Sequence, residues 1–331
     1  MGSKYRLLPW IASVFETIEF DSAMDPFLGS GAVAYLMKGM GKRVIASDYL
    51  NFTTEIAKAA IENHASRATP HDVEMLICAG PYAKSFIHDT FDGVFYDTAD
   101  LRFLDTVCAN IPRLDDPYKR NLATAALIRA CVKKQPRGVF TVGNNGGKYD
   151  DGRRDLRLTM RDQFLEQIDA YNDAVFDNGK ENLALRSDVF DLPQDLVGSV
   201  DLVYLDPPYV PRSDDNDYIK RYHFLEGIST YWKEDAVLEE SKVKKIPKRF
   251  TPFAYRKTAI EAFERLFAQF RDSTIVLSYS SNGYPDLEVL VELMSNFKSD
   301  IVVHRRDHRY HFGTHKAVRR SIVEEYLIVG K

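Results

Sequence analysis

The stretch Ser22-Ala23-Met24-Asp25-Pro26-Phe27-Leu28-Gly29-Ser30-Gly31, followed by Ala32 to Met40, Gly41 and Arg43-Val44-Ile45-Ala46-Ser47-Asp48, reads as one strand–helix–strand unit. A strand ends near Ser22-Ala23-Met24, the helix runs from Ala32 to Met40, and Gly41 takes the position favoured for closing a helix. The second strand, Arg43 to Ser47, ends at Asp48. Glycine at 29 and 31 lets the backbone turn tightly and approach a ligand that a side chain would keep away. Asp48, at the far end of the next strand, suits a hydrogen bond to a ribose hydroxyl. From the glycines alone, a plain strand-to-helix turn with Asp48 as a surface acid reads equally well.

The same alternation continues downstream. Val200-Asp201-Leu202-Val203-Tyr204-Leu205 is an apolar run apart from Asp201, bounded by Asp206 and two prolines. Lys257 to Phe270 has helical periodicity, Ser273 to Tyr279 is a strand, and a helix covers Asp286 to Phe297. Strands over Asp300–Val303 and Glu325–Val329 can pair as a long hairpin. Strands alternating with helices predict an α/β fold with a largely parallel sheet. Between Glu62 and Leu185 the strand signal weakens, and Lys119 to Cys131 (KRNLATAALIRAC) reads as a buried-face helix. The expected division is therefore a sheet domain of residues 1–64 and 183–331, an inserted helical domain of residues 65–182, and a loop insertion over 210–256.

With 331 residues, 45% hydrophobic and 12% aromatic, the chain can bury a large core, and a soluble globular enzyme is expected. No stretch approaches the roughly 20 apolar residues of a membrane span, and Met1 to Arg6 lacks an apolar signal core, which predicts a cytoplasmic location. The three cysteines, Cys78, Cys108 and Cys131, have neither disulfide-framework nor zinc spacing, and none follows a proline. A net charge of −4 carries no overall basic footprint for a nucleic acid. Any such partner requires locally concentrated positive charge.

In open α/β sheets ligands gather at the carboxyl ends of strands, where Asp25 to Gly31, Asp48 and Asp206 to Tyr209 all fall. Asp206-Pro207-Pro208-Tyr209 has a chemical reason at each position if its target is an aromatic amino group such as adenine N6. That nitrogen is a poor nucleophile because its lone pair is delocalised. The Asp206 carboxylate and the Pro207 carbonyl would accept its hydrogens and draw it toward a tetrahedral geometry, and the prolines fix the carbonyl's direction. Tyr209 can stack on an extruded base. Such stacking contributes roughly 1–3 kcal/mol, comparable with an extrusion cost of a few kcal/mol. A strand followed by a rigid proline turn is the plainer alternative for this tetrapeptide alone.

Motif and order together resemble the Dam-type (α-group) DNA adenine-N6 methyltransferases, in which a D-P-F-x-G-S/A-G segment comes first, a target-recognition region follows, and D-P-P-Y comes later. Ser3-Lys4-Tyr5-Arg6-Leu7-Leu8 is similar to that family's opening Gly-Lys-Tyr-x-x-Leu, and Asp188, in Arg186-Ser187-Asp188-Val189-Phe190, resembles its acid for the cofactor's adenine amino group. The resemblance implies a Rossmann-like methyltransferase fold: a mostly parallel seven-stranded sheet with an antiparallel C-terminal hairpin, plus an inserted, mainly helical target-recognition region. It implies S-adenosyl-L-methionine as cofactor, held by Lys4, Tyr5, Asp25, Pro26, Phe27, Gly29, Ser30, Gly31, Asp48, Asp188 and Val189. It implies Asp206, Pro207, Pro208 and Tyr209 as the catalytic residues, acting by direct transfer to a flipped-out adenine with no metal and no covalent intermediate. Cytosine N4 or RNA adenine as target, or a catalytically silent DNA-binding relative, are the alternatives.

Double-stranded DNA is then the expected partner, with a restriction endonuclease as a functional counterpart that forms no stable complex. Positive charge concentrates in three places. The hairpin segment His304 to Lys316 interleaves Arg305, Arg306, Arg309 and Lys316 with aromatics and continues to Arg319 and Arg320, which suits phosphate contact. Half of the eight histidines lie there, but lysines and arginines crowd them without completing carboxylates, so no metal site is expected. Lys242 to Arg249 (KVKKIPKR), including Lys245 and continued by Arg256 and Lys257, reads either as a DNA-clasping loop or as a solvated one. In the insertion, Lys134, Arg137, Asn144, Asn145, Lys148, Arg153 and Arg154, beside Lys133 and Arg157, are of the types that read base edges or grip phosphates, while a charged surface explains any single one. Two further stretches are candidates for the pocket: Asp217 to Glu226, which suits closing over the base or packing the core, and Ser278 to Gly283, which suits the pocket wall.

Overall fold

A computed structural model of the chain describes residues 4–80, 85–144, 146–210, 218–309 and 322–331. The chain forms two compact units, one of Gly2–Tyr49, Lys180–Asp217 and Phe250–Lys331, the other of Leu50–Gly179 and Tyr218–Arg249. The boundaries fall at 50 and 180, where 64 and 183 were expected, and much of the expected 210–256 loop belongs to the second unit.

The first unit is built on a sheet of strands β1 (Ser22–Asp25), β2 (Arg43–Asp48), β3 (Leu183–Arg186), β4 (Leu202–Leu205), β5 (Thr274–Ser280), β6 (Ile301–Arg309) and β7 (Ile322–Gly330). Their order is β3-β2-β1-β4-β5-β7-β6. The first five run parallel, and β7 lies antiparallel between β5 and β6. This is the mostly parallel seven-stranded sheet with an antiparallel C-terminal hairpin that the family resemblance implies. Every residue of β4 is buried, as are five of the six in β2. That continuous burial requires cover on both faces. The helix Arg256–Gln269 supplies Phe263, Leu266 and Phe267, and the helix Leu287–Ser295 supplies Leu290 and Met294, to the core built on Val203, Leu205, Ile275, Leu277 and Ile328.

From β1 the chain steps outward to β2 and β3, then returns to lay β4 on the other side of β1. The strand order therefore reverses between β1 and β4, and a reversal opens a crevice beyond the carboxyl ends of the two strands. Asp201, the one polar break in the apolar run before Asp206, fixes their opposite ends. Its carboxylate accepts hydrogen bonds from the Asp21 and Ser22 amides, each at 2.9 Å, and from Ser22 Oγ at 2.8 Å. Those bonds, the Asp21 amide first, hold its carboxyl below the usual carboxylate range.

Two strand expectations change. The strands β6 and β7 extend well beyond 300–303 and 325–329, so the basic stretch from His304 to Arg309 is strand, with Arg306 opposite Glu325 and Asp307 opposite Glu324. The strand β3 escapes the sequence pattern because it is four residues long, lies at the edge of the sheet and follows a polar segment.

The α-helices described in the second unit are Asn51–Ala57, Pro70–Ile77, Phe86–Phe91, Thr98–Asn110, Pro117–Lys134, Arg154–Arg157, Met160–Ala174 and Tyr218–Thr230, and no strand is described there. The expected helix at 119–131 is the longer Pro117–Lys134, started by Asp116, whose side chain accepts from the Tyr118 amide. Thr69 with Asp72, and Thr159 with Asp162, close reciprocal capping boxes. The core gathers Phe91, Phe95, Phe140, Phe224 and Trp232 in mutual ring contact. The helix Tyr218–Thr230, which takes in most of the Asp217–Glu226 stretch considered for closing over a base, buries eight residues from Ile219 to Ile228 in this unit. Among the described residues no helix is long and apolar enough to cross a membrane.

Removing the Asp201 carboxylate unpairs two backbone donors at the β1–β4 seam. Asp201→Ala is expected to lower the unfolding free energy by about 1–2 kcal/mol near neutral pH. A carboxyl held low in the folded state stabilises above its unfolded value and loses that contribution as pH falls. The deficit measured by urea denaturation should therefore shrink on acidification.

Candidate active site

The turn after β1 carries the glycine motif. Gly29 and Gly31 have φ of +52° and +74°, a left-handed backbone that other residues adopt only with strain. Gly31 stands at the entrance of the helix Ala32–Gly39, where no side chain caps the first amides. The Gly29 amide donates to Asp48 Oδ2 at 3.0 Å, and the Leu28 amide donates to the Ser47 carbonyl at 3.2 Å, so the turn is stitched to the end of β2. Asp48 is thus buried in the turn and is no surface acid.

Asp25 ends β1 with 1% exposure and accepts from the Phe27 amide at 3.3 Å. Burial pushes its carboxyl well above the ordinary range, and the negative charges of Asp206 and Asp48 add to the effect. Pro26 is buried beside it. Phe27 meets Phe253 edge-on at 5.3 Å, Phe253 stacks on Phe190 at 5.7 Å, and the Arg265 guanidinium covers Phe190 at 4.0 Å. This row ends beside Asp188, whose carboxylate accepts from the Phe190 amide at 3.0 Å. Val189 is buried, and its carbonyl accepts from Gln269 Nε2 at 2.7 Å. Ser30 is half-buried in the glycine turn.

Asp206 follows β4 directly. Its Oδ1 lies 3.4 Å from Lys4 Nζ, and the same ammonium lies 3.2 Å from Glu325 Oε2. The Glu325 side chain has 0% exposure, and Oε1 is buried with no hydrogen-bond partner among the described residues. Burial raises the Asp206 carboxyl, Lys4 lowers it, and the Glu325 charge raises it again. Pro207 is buried, Pro208 is half-buried, and Tyr5 lies 73% exposed next to Lys4. Tyr209 meets Tyr279 of β5 edge-on at 5.5 Å, and Tyr279 meets Phe263 at 5.7 Å. A methyl group on Gly283 would lie 2.8 Å from the Tyr279 ring and 3.1 Å from that of Tyr209, so only glycine fits between the two rings there. The Tyr284 amide donates to the Val210 carbonyl at 3.2 Å, which ties this turn to the residue after the tetrapeptide.

The expected wall at Ser278–Gly283 is thus in contact with Tyr209. Glu325, Tyr284 and Phe253 join the site without having been singled out. Glu325 begins the expected strand Glu325–Val329, and Phe253 lies within the expected 210–256 loop.

The expected DNA-facing residues divide. Lys134 is removed from them: it is buried, 2.5 Å from Asp100, and donates to the Leu158 carbonyl at 2.7 Å. Asn144 is removed as well, being buried with its side-chain amide on the Phe95 carbonyl at 3.1 Å. Arg153 reaches Asp151 at 2.9 Å and the Pro136 carbonyl at 2.6 Å, and Arg154 pairs with Glu166. Lys133 and Arg157 pair with Asp155 and Asp150. Much of the insertion's positive charge is therefore matched by its own acids, in line with the low overall charge. Arg137 and Lys148 are exposed, and Lys245 is half-buried. In the neighbouring basic stretch Arg249 holds the buried Glu226 at 2.6 Å and Asp235 at 3.1 Å. Arg305 and Arg306 are exposed on β6, with the Arg305 guanidinium 5.7 Å from the Tyr326 ring. Only the backbone of Arg309 is described, and Asn145, Lys316, Arg319 and Arg320 lie outside the described residues.

A left-handed glycine turn, a cluster of acids and an Asp-Pro-Pro-Tyr loop at the switch point of a seven-stranded sheet define a ligand-binding α/β enzyme. Residues 1–275 match the model of the D12 class N6 adenine-specific DNA methyltransferases, and the chain belongs to that family. It is a site-specific DNA methyltransferase acting on adenine N6. Among curated proteins it is similar to the type II methyltransferase M2.HphI of Haemophilus parahaemolyticus, 28% identical over 94% of this chain and 90% of that one. The type II methyltransferase M.NlaIII of Neisseria lactamica is 22% identical over 91% of this chain and 89% of that one. The modification methylase StsI of Streptococcus sanguinis is 26% identical over 92% of this chain but 47% of its own length, so the chain spans about half of that relative.

The elevated Asp25 carboxyl has a thermodynamic consequence. Its folded-state value lies above the unfolded one, so it opposes folding once pH exceeds the ordinary carboxylate range. Asp25→Asn is expected to raise the thermal midpoint at pH 8, with the gain vanishing as pH approaches 4. An unchanged or lowered midpoint at pH 8 would contradict the buried charge.

Proposed function

We propose that the chain methylates N6 of an adenine swung out of duplex DNA, with S-adenosyl-L-methionine bound along the glycine turn and the target base held at Asp206–Tyr209. The buried acid pair Asp25 and Asp48, beside a left-handed backbone turn with no side chain in the way, suits a cationic nucleoside cofactor. A positive group beside Asp25 would relieve the penalty that burial places on its carboxylate. When bound, that cofactor supplies a methyl group activated by its positive sulfur. Gly29, Ser30 and Gly31 would present backbone to it, and Asp48 would hold the ribose side together with the Gly29 amide. Phe27 and Phe190 with Asp188 and Val189 would enclose the adenine side, and Lys4 and Tyr5 would border the methionine side.

The observation that carries this reading is the ion pair of Asp206 with Lys4. It leaves one carboxylate oxygen facing the ammonium, and the other, with the Pro207 carbonyl, would accept the hydrogens of N6. Those acceptors would raise electron density on the nitrogen as the new bond forms. The proton that N6 loses passes to Asp206 Oδ2. Tyr209, braced by Tyr279 and Gly283, would stack on the extruded base. Alignment of nitrogen and methyl carbon supplies most of the acceleration. The helical unit would contribute target recognition through exposed cations such as Arg137 and Lys148. The type II names of the relatives support a reading in which a short site is modified and a nuclease of the same specificity is the functional counterpart.

Incubation with tritiated S-adenosylmethionine and mixed-sequence duplex DNA should label adenine. Asp206→Ala should reduce turnover by at least about a thousand-fold while calorimetric cofactor affinity changes little. Retained transfer in that variant would remove Asp206 from the assigned role, and absence of label from adenine across varied DNA would overturn the reading.

A further inference from the structure

Beside the tetrapeptide loop lies a surface that the mechanism does not use. Phe250 is 67% exposed and Tyr255 41% exposed, yet their rings stack on each other at 5.4 Å with 13° between planes. Exposed Arg256 and Lys257 follow directly, and Ile260, one helical turn beyond Arg256, is 39% exposed. Two large rings held parallel in solvent next to cations make the combination that nucleic-acid surfaces use, with rings for bases and cations for phosphates. A segment kept only for packing would turn these rings inward.

The pair is also fixed in place. Between its members, Phe253 is 1% exposed and contacts Phe27, Phe190 and Phe263. On the far side the Arg256 guanidinium lies 4.5 Å from the Tyr284 ring, and the Tyr284 amide is bonded to the Val210 carbonyl, next to Tyr209. The platform is therefore braced to the glycine turn through Phe253 and to the tetrapeptide loop through Arg256 and Tyr284. A loop anchored at both ends beside the base site holds its exposed rings at a set distance from that site.

We infer that Phe250 and Tyr255, with Arg256 and Lys257, form a stacking platform for the DNA that flanks the extruded adenine. The rings carry a base or deoxyribose face of the neighbouring nucleotides, and Lys257 carries a phosphate. This inference rests on the proposed function, since it takes DNA as the substrate.

The test measures affinity for mixed-sequence duplex DNA by fluorescence anisotropy across a salt series, alongside cofactor affinity by calorimetry and methyl transfer. Phe250→Ala with Tyr255→Ala should weaken DNA binding roughly ten-fold or more, leave cofactor affinity unchanged and leave the salt slope unchanged. Phe250→Trp with Tyr255→Trp should restore binding. Lys257→Ala should weaken binding and reduce the slope by about one. DNA affinity of the double alanine variant within two-fold of the parent would overturn the platform. So would loss of a concentration-dependent self-association with DNA affinity intact, which would make a second copy the occupant. Failure of the parent protein itself to bind DNA or transfer methyl would instead overturn the proposed function.

Discussion

One ammonium group holds the site together. Lys4 reaches from the first turn of the chain to Asp206 at 3.4 Å and to the fully buried Glu325 at 3.2 Å. Three segments far apart in sequence, namely the opening turn, the end of β4 and the middle of β7, are joined by it. A carboxylate as buried as Glu325 is strongly unfavourable unless paired, and breaking such a pair by removing one partner costs roughly 3–5 kcal/mol. The antiparallel β7 is what delivers Glu325 to this place, because its pairing with β5 sets Glu325 opposite Ser280 at the carboxyl end of the parallel strands.

The acids around this cation give the crevice its charge. Asp25, Asp48 and Asp206 stand at the ends of three adjacent strands; burial, with the charges of Asp206 and Asp48, lifts Asp25 above an ordinary carboxylate, and burial, with the charge of Glu325, lifts Asp206. That arrangement opposes folding and favours positively charged ligands, a trade found at functional sites where stability is given up locally. Lys4 works in the other direction and lowers the Asp206 carboxyl, as the proposed role of Asp206 in accepting hydrogens requires.

Much of this was legible in the residues. Asp25 to Gly31 and Asp206 to Tyr209 announced strand ends because prolines and glycines punctuate apolar runs, and the hairpin of the last two strands followed from their patterning. Other features depend on partners distant in sequence. Lys4 and Glu325 are 321 positions apart, and nothing local marks either as one of a pair. Lys134 and Asn144 looked like DNA contacts because residue type says nothing of burial, and the acids that neutralise Arg153 and Arg154 are read as partners only once the helices are folded. Asp201 looked like a flaw in a strand and proved to be the clasp at its beginning.

In the proposed reaction Lys4 and Glu325 together set the ionisation of the acceptor Asp206. The direct measurement is the pH dependence of kcat for the parent, Lys4→Met and Glu325→Gln. Asp206 is also faced by Asp25 from β1, a raised carboxyl of its own, and by the Tyr204 hydroxyl, and these remain the same in all three proteins. Removing the cation should move the acid limb to higher pH and lower the plateau, while removing the Glu325 charge should move the limb to lower pH. Acid limbs that coincide in the three proteins, or that move together in one direction, would contradict the account.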